Sequence, residues 1–542
     1  MNSICATLVD IYRREQYPVE MIWEHQRIVS IQRIKTADRL PYLLPGFCDA
    51  HVHIESSMLL PQAFAAEVVK HGTIATISDP HEIANVCGID GVYYMLKNAA
   101  FVPVYICFGA PSCVPATAFE TAGANLDAEA VRELLKRKDI YYLSEMMNYP
   151  GVLCGDDEVL KKITYARELH KPVDGHAPGL TGSDAIRYIQ AGIQTDHECV
   201  SYEEALFKIQ HGMQILIREG SSAKNFEALY PLIDQFPENV MLCTDDCHPD
   251  DLVKGHINTV VKRALNKGCD LYHVLRAASI NPKHHYQLDY GLLREGDYAD
   301  FILTRDLNRM QIDATFIKGD CISRANKTSI TISKPEPINQ FNIDKTDVKD
   351  FAIKHKGTPF KIILALDGQL ITEMESQCMQ ADEQGNVMSD IQSDLLKICV
   401  VNRYHKQPPA IGFIKNTGLL KGAFASSVAH DSHNIVCVGT NDLDICNAVN
   451  AVIAHSGGLS TAMDGHIQIL PLPVAGLMSL EDAETVAVEY EKLDRTVKQY
   501  GCRLQSPFMT LSFMALLVIP KLKLSDKGLF DVEAFQFVDL QE

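Results

Sequence analysis

The sequence predicts an α/β protein whose central unit is a (β/α)8 barrel of the TIM type. Three observations carry that reading. From Pro45 onward, short apolar runs alternate with amphipathic helical runs. The alternation counts out to about eight βα units, the number that closes such a barrel. Titratable side chains recur where the apolar runs end, the face on which such barrels carry their chemistry.

The units follow in chain order. "PGFCDAHVHI" precedes the helical "PQAFAAEVVKHG", which Gly72 stops, and "TIATISDPHE" precedes a helix through "GVYYMLKNA". "VPVYICFG" leads to "DAEAVRELLKRK", "IYYLSEMM" to "EVLKKITYARELHK", and "PVDGHAPG" to "SDAIRYIQAG". "IQTDHE" leads to "SYEEALFKIQHG", where Ser201 and Glu204 have the spacing of a capping box. "MQILIREGS" and "NVMLCTDD" open the last two units.

Short alternating runs flank the barrel. Residues 1–44 read as strands, with "ATLVDIY", "VEMIWEH" and "RIVSIQRI". Residues 286–330 read as strands again, so the two flanks can share one small sheet. The barrel is placed at 45–285 and a further α+β domain at 331–542, after the Pro- and Ser-containing stretch "KTSITISKPEPINQ". A chain of 542 residues calls for two or three domains.

Composition excludes several classes. The net charge of -19 disfavours nucleic acid and anionic lipid, which need a basic face. No run is long and apolar enough to span a bilayer, and no apolar signal core follows the N-terminus. The 16 cysteines are scattered singly, as expected of reduced thiols in a cytoplasmic protein. A homo-oligomer, a dimer or tetramer, is expected.

Strand neighbours i and i+2 share a face, so His51 and His53 point together. The other strand ends supply Asp79 and His81, Glu145, His176, His197, Glu219, and Asp245 with Asp246. Only the third strand ends without a titratable group. Imidazole and carboxylate are the ligands of borderline divalent metals. His51, His53, Glu145, His176, His197 and Asp245 suffice for two ions with a bridging oxygen. Two ions would hold a hydroxide nucleophile at neutral pH.

The wording around these residues resembles the microbial adenine deaminases of the amidohydrolase superfamily. The similar stretches include "PGFCDAHVHIESSML", "DPHEIANVCGIDG", "DGHAPGLTG", "CTDDCHPDDL" and, beyond the barrel, "FASSVAHDSHNIVCVGTND". The resemblance implies a distorted barrel, a composite β domain from both flanks and a C-terminal domain of the family's own. It implies a binuclear centre of Mn2+ or Fe2+ and the reaction of adenine with water to give hypoxanthine and ammonia, a step of purine salvage. Many relatives bridge their metals with a lysine on strand 4; here Glu145 is the candidate bridge. Mononuclear deaminases carry a Glu three residues after the strand-5 His, where this chain has Gly179. Cys247 stands where relatives often have Arg, and Ile74 where they often have Thr.

Adenine C6 accepts hydroxide if N1 is protonated and the nucleophile is held close. Asp245 or Asp246 is the expected base, and Glu219 the expected proton donor to N1. Asp79 and His81 are expected to orient ligands or shuttle protons. "AHDSHN", with His430, Asp431 and His433, is expected to form a turn against the barrel mouth. The alternative is another hydrolase of the superfamily, acting on a cyclic amide or N-acyl compound.

Overall fold

The computed structural model describes residues 1–36 and 38–542. The barrel strands are β1 (Phe47–Val52), β2 (Thr73–Ser78), β3 (Tyr105–Ala110), β4 (Ile140–Met146), β5 (Val173–Gly175), β6 (Thr195–Asp196), β7 (Gln214–Arg218) and β8 (Val240–Cys243). β1 to β5 form one parallel sheet and β6 to β8 another. Two seams close the ring. Gln194 N–H donates to the Val173 carbonyl at 2.9 Å, joining β5 to β6. Asp245 N–H donates to the His51 carbonyl at 2.9 Å, joining the end of β8 to β1. β5 and β6 are the shortest of the eight, with three and two residues, and the parallel ladder is interrupted between them.

So short a strand as β6 needs outside support, and Lys208 gives it. Its fully buried ammonium donates to Asp196 Oδ2 and Glu204 Oε1, each at 2.7 Å, and to the Ala177 carbonyl at 2.8 Å. This alters the expected capping box. Ser201 caps its helix through Glu204 N–H, but the Glu204 carboxylate turns to Lys208 and to the N–H groups of Gly179 and Val200. Replacing Lys208 by Met strands two buried carboxylates. It is expected to cost about 3–5 kcal/mol, the scale for breaking a buried ion pair. Urea unfolding of parent and variant measures it.

The flanks meet in one sheet of eight strands. Tyr42–Pro45 lies between Asn2–Asp10 and Phe301–Thr304, parallel to the first and antiparallel to the second. Alternation in Glu15–Glu24 turns Val19, Met21 and Trp23 inward, and Trp23 meets Phe301 edge-on at 5.5 Å.

The C-terminal part forms a second eight-stranded sheet that includes Phe360–Ala365, Leu396–Val401 and Ile435–Gly439. Helix Asp442–Ala454 packs Ile445, Val449 and Val452 into the same core as Cys437 and Ala425 of the sheet. Residues 329–347 carry no helix or strand. They are tied at both ends, Ser333 to Gln62 and Asn342 to the Arg403 carbonyl. One apolar core runs from Leu59 and Phe64 of the barrel to Phe424 and Leu472 of the C-terminal part. Helix Ala483–Gln499 bridges them, with Tyr490 Oη 2.7 Å from His248 Nδ1. Among the described residues no helix is long and apolar enough to cross a membrane.

Candidate metal centre and its walls

The C-terminal ends of the barrel strands bring six side chains to one point. His51 Nε2 and His53 Nε2 lie 3.2 Å apart. Asp245 Oδ1 is 3.3 Å from the first and 3.1 Å from the second. Glu145 stands across from them. Its Oε1 is 3.3 Å from His53 Nε2, while its Oε2 is 2.7 Å from His176 Nδ1 and 3.2 Å from His197 Nε2. The His51 and His197 rings stack with centroids 4.1 Å apart. All of this is buried except His176, which is partly exposed.

The spacings of 3.1–3.3 Å fit divalent cations, while the 2.7 Å contact of His176 with Glu145 is a hydrogen bond. Ligands each about 2.0–2.2 Å from a shared cation lie roughly 3.0–3.5 Å from one another. Aimed nitrogen and oxygen lone pairs at that separation are poor hydrogen bonds and good coordination edges. His53, Asp79, His81 and Glu145 make a further group of the same kind. His81 Nδ1 is 3.1 Å from Asp79 Oδ2 and 3.6 Å from Glu145 Oε1, yet His81 Nδ1 and Asp79 Oδ2 are both buried without a hydrogen-bond partner. The cluster is thus a buried His/Asp/Glu site compatible with divalent metal.

The electrostatics follow from this crowding. Burial alone would raise the Glu145 carboxyl, but the imidazoles of His176, His197 and His53 outweigh it and hold it well below the usual range. Burial opposes charge on His53 too, and its bonds to Asp245 and Glu145 hold its pKa well above normal. Cations at the site would stand in for those protons. Asp245 has φ of 59°, in the left-handed region, so both it and Asp246 can face the mouth. Asp246 accepts from Ser56 Oγ at 2.5 Å, and burial together with the Asp245 charge pushes its carboxyl up.

Glu219 does not join this group. Successive side chains on a strand face opposite ways, and at the end of β7 it is Arg218 that points inward. Arg218 Nη1 donates to Asp245 Oδ2 at 2.6 Å and also binds Glu198. Glu219 turns outward and pairs with Arg263 beside a separate cavity of about 300 Å³ that Cys247 and Lys254 also line. Glu219, expected to give a proton to N1, thus lies away from the cluster.

Two inward residues were passed over: Arg218, and Glu198 one residue beyond His197. Each is next in sequence to the single residue expected from its strand end, Glu219 and His197. Glu82 was passed over as well. It opens helix His81–Ala99 and is buried under the turn Ala429–Asn434. His430 Nδ1 lies 2.5 Å from Glu82 Oε1, and His433 Nε2 contacts Glu82 Oε2. Burial alone would raise Glu82, but His430, His81 and His433 bring it well below the usual range. Burial works against the His430 imidazolium, and Glu82 overrides it, lifting His430 to about 9. His433 is pushed down to about 4 by burial. The "AHDSHN" turn does pack against the barrel mouth, and it supplies charged groups there. Leu370, Phe513, Leu516 and Ile519, also C-terminal, complete an apolar wall.

Comparison with known proteins agrees along the whole chain. Residues 42–322 match the model of the amidohydrolase family, and residues 369–536 that of the adenine deaminase C-terminal domain. A protein named adenine deaminase from Methanosarcina barkeri is 51% identical over 100% of this chain and 99% of its own. One of the same name from Salinibacter ruber is 51% identical over 99% and 98%. Another from Borreliella burgdorferi is 47% identical over 99% of both chains. With about half of all positions shared from end to end, and with barrel and C-terminal wall both matched, this chain belongs to the adenine deaminase family of amidohydrolases.

Proposed function

We propose that this chain hydrolyses adenine to hypoxanthine and ammonia at a site that holds two divalent cations, manganese or iron. The observation that carries the reading is Glu145. Its two oxygens face different imidazoles, His53 on one side and His176 with His197 on the other. That is the arrangement of a carboxylate shared by two ions. His51, His53 and Asp245 would complete one ligand set, and His176 and His197 the other. The adenine assignment is supported by the full-length identity to proteins named adenine deaminase.

A divalent pair, when bound, supplies the Lewis acidity that makes water nucleophilic near neutral pH. The chain's own groups do the rest. Asp245, its Oδ2 held by Arg218, keeps Oδ1 toward the cluster and takes the proton of the attacking water. Asp246, raised by burial and by its charged neighbour, passes that proton to the leaving amine, which departs as ammonia, and the proton of the hydroxyl left at C6 restores the acid that served N1. Glu82 and His430 take the place first given to Glu219. The Glu82 carboxylate, accepting from His430 and His433, keeps the His430 imidazolium charged at the cavity wall, and His430 gives the proton to N1. Asp79 and His81, next to Glu145, orient it.

The test begins with protein grown in manganese. Metal analysis is expected to approach about two ions per chain, and the double substitution His51→Ala with His53→Ala to lose at least one. Adenine and adenosine are then followed by ultraviolet spectrum and ammonia release. Adenine should give hypoxanthine and ammonia, and adenosine should react poorly. A ring-opened or deacylated product from a cyclic amide, with adenine untouched, would transfer the chain to another amidohydrolase reaction. Full activity in metal-free protein would end the metal reading.

A further inference from the structure

We propose that Asp431 accepts the ring N–H of the free purine and is the residue that discriminates against nucleosides. The inference rests on the adenine reading of the same site and deepens it.

The turn Ala429–Asn434 presents three titratable side chains to the barrel. His430 and His433 are both satisfied by Glu82. Asp431 is not. It is 3% exposed, makes no hydrogen bond among the described residues, and its Oδ2 is buried without a partner. It lines the cavity that also holds His81, Glu82 and the metal cluster. Buried carboxylates are nearly always paired, so an unpaired one on a cavity wall points to a partner that arrives with the ligand.

Two partners fit an acceptor: a cation or an N–H donor. His81, Glu82 and Asp431 do lie within 4.8 Å of one another through their donor atoms. Both Glu82 oxygens, however, already accept from His430 and His433, which leaves Glu82 a poor ligand. An N–H donor is the better match. Adenine offers its amine at the reacting carbon and, across the fused rings, one N–H on the imidazole ring, at N9 or N7. In a nucleoside N9 carries the sugar and donates nothing. Phe513, stacked on His430 with centroids 4.6 Å apart, gives the purine an apolar neighbour in the same wall. A buried acceptor left unpaired by an analogue rejects it by about 10⁴-fold. One carboxylate thus serves both affinity and discrimination.

The experiment uses the full chain loaded with manganese. Adenine, 9-methyladenine and 7-methyladenine are compared in the parent and in Asp431→Asn. The parent should prefer adenine over the analogue methylated at the donating nitrogen by roughly 10⁴-fold. Asp431→Asn should lose at least about 10²-fold in kcat/KM for adenine, mostly through KM, and narrow that preference at least about tenfold. Metal content should stay at the parent's value. Asp431→Glu keeps the charge one methylene away and is expected to recover part of the preference; it also serves if the Asn variant fails to fold. An unchanged preference against both methyl analogues in a folded variant overturns the assignment. Loss of a metal ion from Asp431→Asn would make Asp431 a ligand and overturn it equally. A parent inert toward adenine would sink the deaminase reading as well, so the two failures are told apart.

Discussion

Glu145→Gln is expected to abolish most turnover of adenine while the chain stays folded. Even residues that only support metal ligands cost about 10–100-fold in metal affinity or activity when replaced. Glu145 stands between both ligand groups, with Oε1 toward His53 and Oε2 toward His176 and His197. An amide offers one oxygen and an NH2 group with two N–H donors, and that group repels a cation. The loss should therefore exceed the support-residue range, and metal analysis should show fewer ions per chain. Parent-like activity in Glu145→Gln would remove the shared-carboxylate reading. No dependence on bicarbonate is expected in reconstitution, because a carboxylate needs no carbon dioxide to bridge; if activity did require it, the bridge would lie elsewhere.

Glu82→Gln and Glu219→Gln form the second comparison. Glu82→Gln removes the charge that keeps His430 protonated and should lower kcat and kcat/KM together, by roughly the 10²–10⁴-fold that follows loss of a general acid. A proton on N1 matters chiefly in the transition state, so KM should change little. Glu219→Gln breaks a pair with Arg263 on the outer side of the barrel and should leave kcat near that of the parent. The reverse outcome, with Glu219 the sensitive position, would restore the first assignment. Steady-state kinetics on adenine at matched metal content decides between them.

The barrel was legible in the sequence because alternation and strand-end chemistry repeat along the chain. His51, His53, Glu145, His176, His197 and Asp245 stood out because each ends an apolar run, and the structure brings all six together. The direction of Glu219 was not legible. At a strand's last residue a shift of one position reverses the face, and nothing local tells Arg218 from Glu219. His197 and Glu198 both lie past the end of β6 at Asp196, where strand alternation no longer sorts them, and both face inward. Glu82 was hidden differently: its partners His430 and His433 lie 348 and 351 residues away. A spacing rule works within an element and carries no information over such distances.

That distance sets an order of events during synthesis. Every cluster residue from His51 to Asp245 has been made well before His430 leaves the ribosome. At about 5–20 residues per second the interval is roughly ten seconds or more. The composite sheet, too, waits for Phe301–Thr304 to reach Tyr42–Pro45. The barrel mouth therefore stands open while the first-made ligands gather, and cations can enter from solvent along a path that Phe513, Leu516 and the Ala429–Asn434 turn later cover. Contacts of such long range form slowly. A cation that enters before this wall is made would have no such wall to displace.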